Sequence, residues 1–98
     1  MSATFIKGAV IPLEVELRDK DTGALKDPAN GATITVVDPL GTKKVTAQAM
    51  TKVSTGIYYY NLTLATADES GTWEFEVTST DGSKKSVEQF SFNVKDAL

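Results

Sequence analysis

Residues 56–63 read Gly-Ile-Tyr-Tyr-Tyr-Asn-Leu-Thr, and residues 71–78 read Gly-Thr-Trp-Glu-Phe-Glu-Val-Thr. Both stretches are Gly-x-aromatic-x-aromatic-x-aliphatic-Thr, and their glycines stand fifteen residues apart. Large apolar side chains at every second position mark a strand with one buried face, because successive side chains of a strand point to opposite sides. Two such strands place Tyr58, Tyr60, Leu62 and Leu64 on one face, and Trp73, Phe75 and Val77 on another.

The same period extends outward from this pair. Ile11, Leu13, Val15 and Leu17 alternate with Pro12, Glu14, Glu16 and Arg18 over Ala9 to Arg18, a strand with one greasy and one charged face. Pro12 has no N–H to give a ladder, which places the start of this strand at an edge or a kink. Phe5 and Ile6 form a candidate short strand before it, with Gly8 as the break. A polar loop full of turn residues follows, Asp19 to Gly31. Ala32, Ile34 and Val36 share one face of the next strand. Asp38-Pro39-Leu40-Gly41 suits a type I turn, with proline second and glycine fourth. Thr42 to Met50 is a weaker strand, with Val45, Ala47 and Ala49 in phase. Asp81-Gly82 signals a hairpin turn, and Ser86 to Val94 closes the series with Phe90, Phe92 and Val94 in phase. About seven strands in a chain of 98 residues predict an all-β, two-sheet antiparallel sandwich of Greek-key type. The expected organisation is an arm or short edge strand over 1–8, the sandwich domain over 9–95 and a tail over 96–98. Its expected core is Leu13, Val15, Leu17, Ile34, Val36, Tyr58, Tyr60, Leu62, Trp73, Phe75, Val77, Phe90, Phe92 and Val94.

Composition narrows the function classes. The chain has no cysteine and no histidine. That removes disulfides, thiolate nucleophiles, the usual zinc sites, and the commonest general base. Serines and threonines therefore have no imidazole to activate them. The pairs Glu14/Glu16 and Glu74/Glu76 sit at period two and read as solvated strand faces. A non-enzyme without a cofactor is expected. The net charge of −3 and the interspersed signs argue against a nucleic-acid partner. Lys43-Lys44 and Lys84-Lys85 read as edge protection rather than a phosphate grip. No apolar run reaches membrane-spanning length, so no insertion into a membrane is expected. Met1 to Gly8 has no apolar core of signal-peptide length. The expectation is a protein used without a cleaved signal, or a module cut from a longer chain.

Order and spacing together resemble a known family. Glu69-x-Gly71-x-Trp73-x-Phe75 is similar to the acidic-x-Gly/Ala-x-Tyr-x-Cys signature of immunoglobulin-like domains. Trp73 stands at the place of the corner tyrosine, without its hydroxyl, and Phe75 at the place of the disulfide cysteine. The pieces Asp19 to Gly23, Gly31-Ala32-Thr33-Ile34, Gly56-Ile57-Tyr58, Gly71-Thr72-Trp73 and Phe92-Asn93-Val94 resemble, in order, the cysteine-free bacterial, archaeal and phage members. The likeness runs from about Gly8 to Val94. It implies adhesion, spacer or virion-surface roles on one scaffold, with a protein partner or a particle surface as the target. A capsid or tail decoration protein at the virion surface is the favoured expectation. An adhesive or spacer module at a bacterial or archaeal cell surface is the alternative.

Three further features carry site expectations. Asp19, Asp21 and Asp27 lie in one loop, and Asp-x-Asp-x-Gly can open a calcium loop; the same residues make turns without an ion. With Trp73, Tyr58 and Tyr60 read as a platform, a calcium-dependent carbohydrate binder is a third class, but their phase favours core. Ile57 and Tyr59 occupy the opposite face of their strand and form a candidate contact patch. Asn61-Leu62-Thr63 matches the N-glycosylation pattern at a mid-strand place where a glycan would be poorly exposed.

Overall fold

The computed structural model describes residues 4–19 and 21–98. Eight strands follow one another: β1 Thr4–Ile6, β2 Val10–Glu16, β3 Ala32–Val37, β4 Lys43–Ala49, β5 Thr51–Ser54, β6 Ile57–Thr63, β7 Gly71–Asp81 and β8 Lys84–Lys95. They form two sheets, β1-β8-β7-β3-β4 and β2-β6-β5. The chain changes sheet between β1 and β2, β2 and β3, β4 and β5, and β6 and β7, which wraps both sheets around one core. Pairing is antiparallel except between β1 and β8, which run parallel. The two-sheet all-β sandwich follows from the period-two pattern, with one more strand than the sequence pattern indicates. The extra strand is β5, whose four residues are all exposed and therefore carry no periodic signal.

The core is where the two inner faces meet. Leu13, Val15, Leu17, Tyr58 and Leu62 come from the smaller sheet or its margin, and Ile34, Val36, Trp73, Phe75, Val77, Phe92 and Val94 from the larger. Ile11, Ala32, Val45, Met50 and Leu64 complete it. Full burial of an aliphatic or phenyl side chain contributes roughly 1.5–3 kcal/mol, so this set dominates the stability of a disulfide-free domain. Phe92 is the hub. Its ring stands 6.0 Å from Trp73, 6.0 Å from Phe75 and 5.6 Å, edge-on, from Phe5 of β1. Phe5 thus explains why a three-residue strand stays on the sheet.

Four positions depart from the sequence expectation. Phe90 is in phase with Phe92 yet 37% exposed. It stacks on Phe75 with centroids 4.9 Å apart, but β1, whose Phe5 flanks Phe92, pairs only with Asn93 to Lys95, so the Phe90 ring stays open to solvent on its outer side. Tyr60 is only half-buried and packs against the margin of the core. Ala47 and Ala49 are exposed, because β4 carries a bulge: Ile34 and Val36 of β3 face Gln48 and Val45, three positions apart on β4. Ala47 sits at the bulge with φ 46°, and its N–H donates to Thr35 Oγ1 at 3.0 Å. An extra residue flips the phase of a strand, so Met50 rather than Ala49 reaches the core.

Two turns have local causes. The Asp38 carboxylate accepts the N–H groups of Leu40 and Thr42 at 3.0 and 2.9 Å, and its carbonyl accepts from Gly41 N–H at 3.0 Å. These bonds let an aspartate lie buried at the end of β3. Between β7 and β8, Asp81 pairs with Lys84 across a two-residue loop of Gly82 and Ser83. Gly82 has φ 66° at the first loop position, the place where a type II′ hairpin requires glycine.

Candidate functional site

Long loops and a hairpin tip converge at one end of the sandwich. The loop after β2 folds back on itself through an isolated bridge between Arg18 and Leu25, and Asp19 N–H donates to Ala24 O at 2.8 Å. Its later part is stitched to the β7–β8 hairpin. Asn30 N–H donates to Thr80 O at 2.9 Å, Gly82 N–H donates to Asn30 Oδ1 at 2.9 Å, and Lys26 Nζ lies 2.9 Å from Asp81 Oδ2. Between 50 and 55 residues of sequence separate these partners, so no local pattern announces them.

The three loop aspartates do not gather around a common point. Asp19 Oδ1 accepts the N–H groups of Asp21 and Thr22 at 2.8 and 3.0 Å, an Asx turn. Those two N–H bonds hold its carboxyl below the usual carboxylate range, with Lys26 adding to the effect. Asp21 is exposed, and among the described residues only its N–H takes part. Asp27 faces elsewhere. Its Oδ1 accepts from Gly56 N–H at 2.8 Å and from the Tyr58 hydroxyl at 3.3 Å, and its Oδ2 accepts from Lys52 Nζ at 2.6 Å. Both oxygens are thereby committed to donors of the protein itself. No group of three or more acidic side chains fit to hold a metal ion occurs among the described residues.

Asp27 is instead a structural hub that ties the loop to β5 and β6. The Gly56 N–H and the Lys52 ammonium hold its carboxyl below the ordinary range. Burial, helped by the Asp27 charge, pushes the Tyr58 hydroxyl up. Because the folded carboxyl ionises more readily than that of the unfolded chain, its contribution is complete above the unfolded value of about 3.9 and is lost as pH falls through the folded value. Asp27→Asn is therefore expected to lower the melting temperature at neutral pH. The gap to the parent protein should close as the pH drops through the acid range below about 4. A gap that stays constant down to pH 2 in thermal melts would show that the Asp27 charge does not support the loop.

The outward face of the smaller sheet holds Ile57 and Tyr59. Both are half-buried, with Glu16 and Glu14 of β2 opposite them on one side and Ser54 and Thr51 of β5 on the other. They make a small apolar strip bordered by carboxylates, with no second layer over it among the described residues. Trp73, Tyr58 and Tyr60 do not form an exposed platform: the indole is completely buried, and Tyr58 is 7% exposed.

One bond at the turn into β7 has no signature in the sequence. The Trp73 indole Nε1–H donates to the Glu69 carbonyl at 2.8 Å. A hydroxyl is not needed there, since an indole N–H at the same place reaches the backbone four residues upstream. Among the described residues, no buried side-chain nitrogen or oxygen is left without a partner. Nor is any helix of the described residues long and apolar enough to cross a membrane. Comparison of the chain with protein-family models, curated proteins and solved structures finds no match.

Proposed function

We propose that this chain is an immunoglobulin-like module that acts without catalysis, as a decoration subunit on a phage capsid or tail, by binding a protein partner or particle surface. The sheet order supports the immunoglobulin-like reading. β2, β6 and β5 correspond to the B, E and D strands of that fold, β3, β7 and β8 to C, F and G, and β4 to the C′ addition of variable-type domains. The Trp73–Glu69 bond supports it further, since it does the work of the tyrosine corner at the head of the F-type strand.

A free loop pole supports the decoration reading. β8 runs from the hairpin tip to Lys95, and β1 lies parallel beside Asn93 to Lys95, so the chain leaves β8 at the pole opposite the hairpin. A module held at one pole presents the far pole, here the stitched loop and hairpin tip, to a partner. The domain is elongated, 45 × 21 × 21 Å, which sets that far pole well away from the ends.

Sedimentation of the native protein from its source lysate, read by mass spectrometry, tests this. Co-migration with particles far larger than a 10.5 kDa monomer, surviving moderate salt, is the expected result. Recovery only within a longer polypeptide of the envelope fraction would overturn it in favour of a cell-surface spacer or adhesin.

A further inference from the structure

Sheet edges expose N–H and C=O groups that can pair with another chain, and natural sandwiches blunt them with proline, bulges, shortness or lysine. Most edges here are blunted in one of these ways. β2 carries Pro12, β4 carries the bulge at Ala47, β1 has three residues and β5 has four. β8 is the least protected: along its open stretch the only such device is the pair Lys84-Lys85 at the hairpin end. It runs twelve residues with an unbroken register against β7 and contains neither glycine nor proline. β1 covers its other edge only from Asn93 to Lys95. Among the described residues, no strand covers that edge from Lys84 to Gln89.

The direction of the free groups follows from the hairpin. Asp81 and Lys84 close a two-residue loop, so they are a hydrogen-bonded pair, and such pairs recur at every second residue. Ser86, Glu88 and Phe90 therefore bond β7, while Lys85, Val87 and Gln89 turn N–H and C=O to the open edge. The β1 contact agrees with this parity: Lys7 N–H donates to the carbonyl of Lys95, also odd-numbered, at 3.1 Å. Along this edge stand two of the exposed large apolar side chains, Val87 at 51% and Phe90 at 37%.

We propose that the open edge of β8 pairs antiparallel with the same edge of a second copy of the chain, about a two-fold axis through Val87. The axis is chosen by side-chain complementarity, since directly opposed residues share a face. Centred on Val87, the pairing sets Val87 against Val87 of the second copy, and Phe90 against the aliphatic stem of Lys84. It also sets the Ser86 hydroxyl against the Glu88 carboxylate, and Lys85 against Gln89. Both exposed apolar side chains gain cover, and the Lys84 ammonium lies diagonal to Glu88. Shifting the axis to Glu88 would place two carboxylates face to face. Shifting it to Ser86 would set Phe90 opposite the hairpin glycine, Gly82. The Val87 register forms about six new backbone hydrogen bonds, from Lys85, Val87 and Gln89 of each copy, and joins two five-stranded sheets into one of ten strands.

Sedimentation equilibrium of the whole chain from about 10 µM to 1 mM tests the pairing, since an interface this small is weak. The parent protein should dimerise within that range. Val87→Pro removes an N–H that bonds nothing within the domain, and Val87→Lys places like charges opposite each other. Each should weaken association at least about tenfold, with the melting temperature read beside it. Amide exchange adds a register test. Exchange at Lys85, Val87 and Gln89 should slow as concentration rises, while Ser86 and Glu88, already bonded to β7, should not change. A parent protein monomeric throughout the range would overturn the proposal. So would a dimer that both folded variants form equally well, or concentration-dependent protection outside Lys85, Val87 and Gln89.

Discussion

Replacing Trp73 by alanine is expected to lower the unfolding free energy by about 3–5 kcal/mol, a large part of the roughly 5–15 kcal/mol available to a small domain. Two causes add. The indole is completely buried and rests against Phe92, the ring that also holds Phe5 and Phe75. Deleting it leaves a cavity where both sheets meet. The second cause is polar: without the indole N–H, the Glu69 carbonyl loses its 2.8 Å partner at the turn into β7. Trp73→Phe separates the two, because it keeps most of the apolar volume and removes the donor. Its cost should fall clearly below that of alanine yet exceed a simple loss of volume. Urea unfolding followed by circular dichroism is the right measurement, as Trp73 is the only tryptophan and the variants lose its fluorescence. An unchanged midpoint for Trp73→Ala would mean that the two sheets do not close over this residue.

The period-two pattern made the sandwich legible because it reports which side of a strand is buried, and nothing else is needed to stack two sheets. Trp73, Phe75 and Val77 could be assigned to the core on phase alone. Phase fails where burial depends on a neighbouring strand. Phe90 has the right parity, but β1 flanks β8 only from Asn93 to Lys95, and the reach of that neighbour is written in no local pattern. It fails again at Ala47. An alanine with φ 46° in a bulge looks in sequence like any alanine of a weak strand, and its polar neighbours Thr46 and Gln48 give no phase to contradict. The Asp27 hub was illegible for a different reason. Its partners Lys52, Gly56 and Tyr58 lie 25 to 31 residues away and are brought to it only by tertiary folding. Read locally, three loop aspartates resemble cation ligands; in the fold two of them satisfy backbone N–H groups.

Gly56 opens the first of the two matched motifs, and its substitution tests why that motif begins with glycine. Gly56→Ala is expected to destabilise the domain by about 2–5 kcal/mol, from a left-handed backbone and a steric clash together. Its φ is +73°, and a Cβ there would lie 2.7 Å from the Leu17 carbonyl oxygen, 2.8 Å from Leu25 Cβ and 2.8 Å from Lys26 N. Two of these atoms are backbone and cannot swing aside. They are also hydrogen-bonded to the same knot: Leu17 N–H donates to Gly56 O at 2.6 Å, and Lys26 N–H donates to Leu17 O at 2.9 Å. Making room for a methyl group must therefore pull the end of β2 away from the Asp27 loop and strain the Gly56–Asp27 bond as well. Gly31→Ala is the matched control, with φ +79° and no atom within 4 Å of the added Cβ. It should cost only the conformational part, about 1–2 kcal/mol. The difference between the two variants in chemical denaturation then measures the close approach alone. Equal losses would mean that the β2 end and the loop yield freely, and the glycine would be needed for its φ and not for the space it leaves.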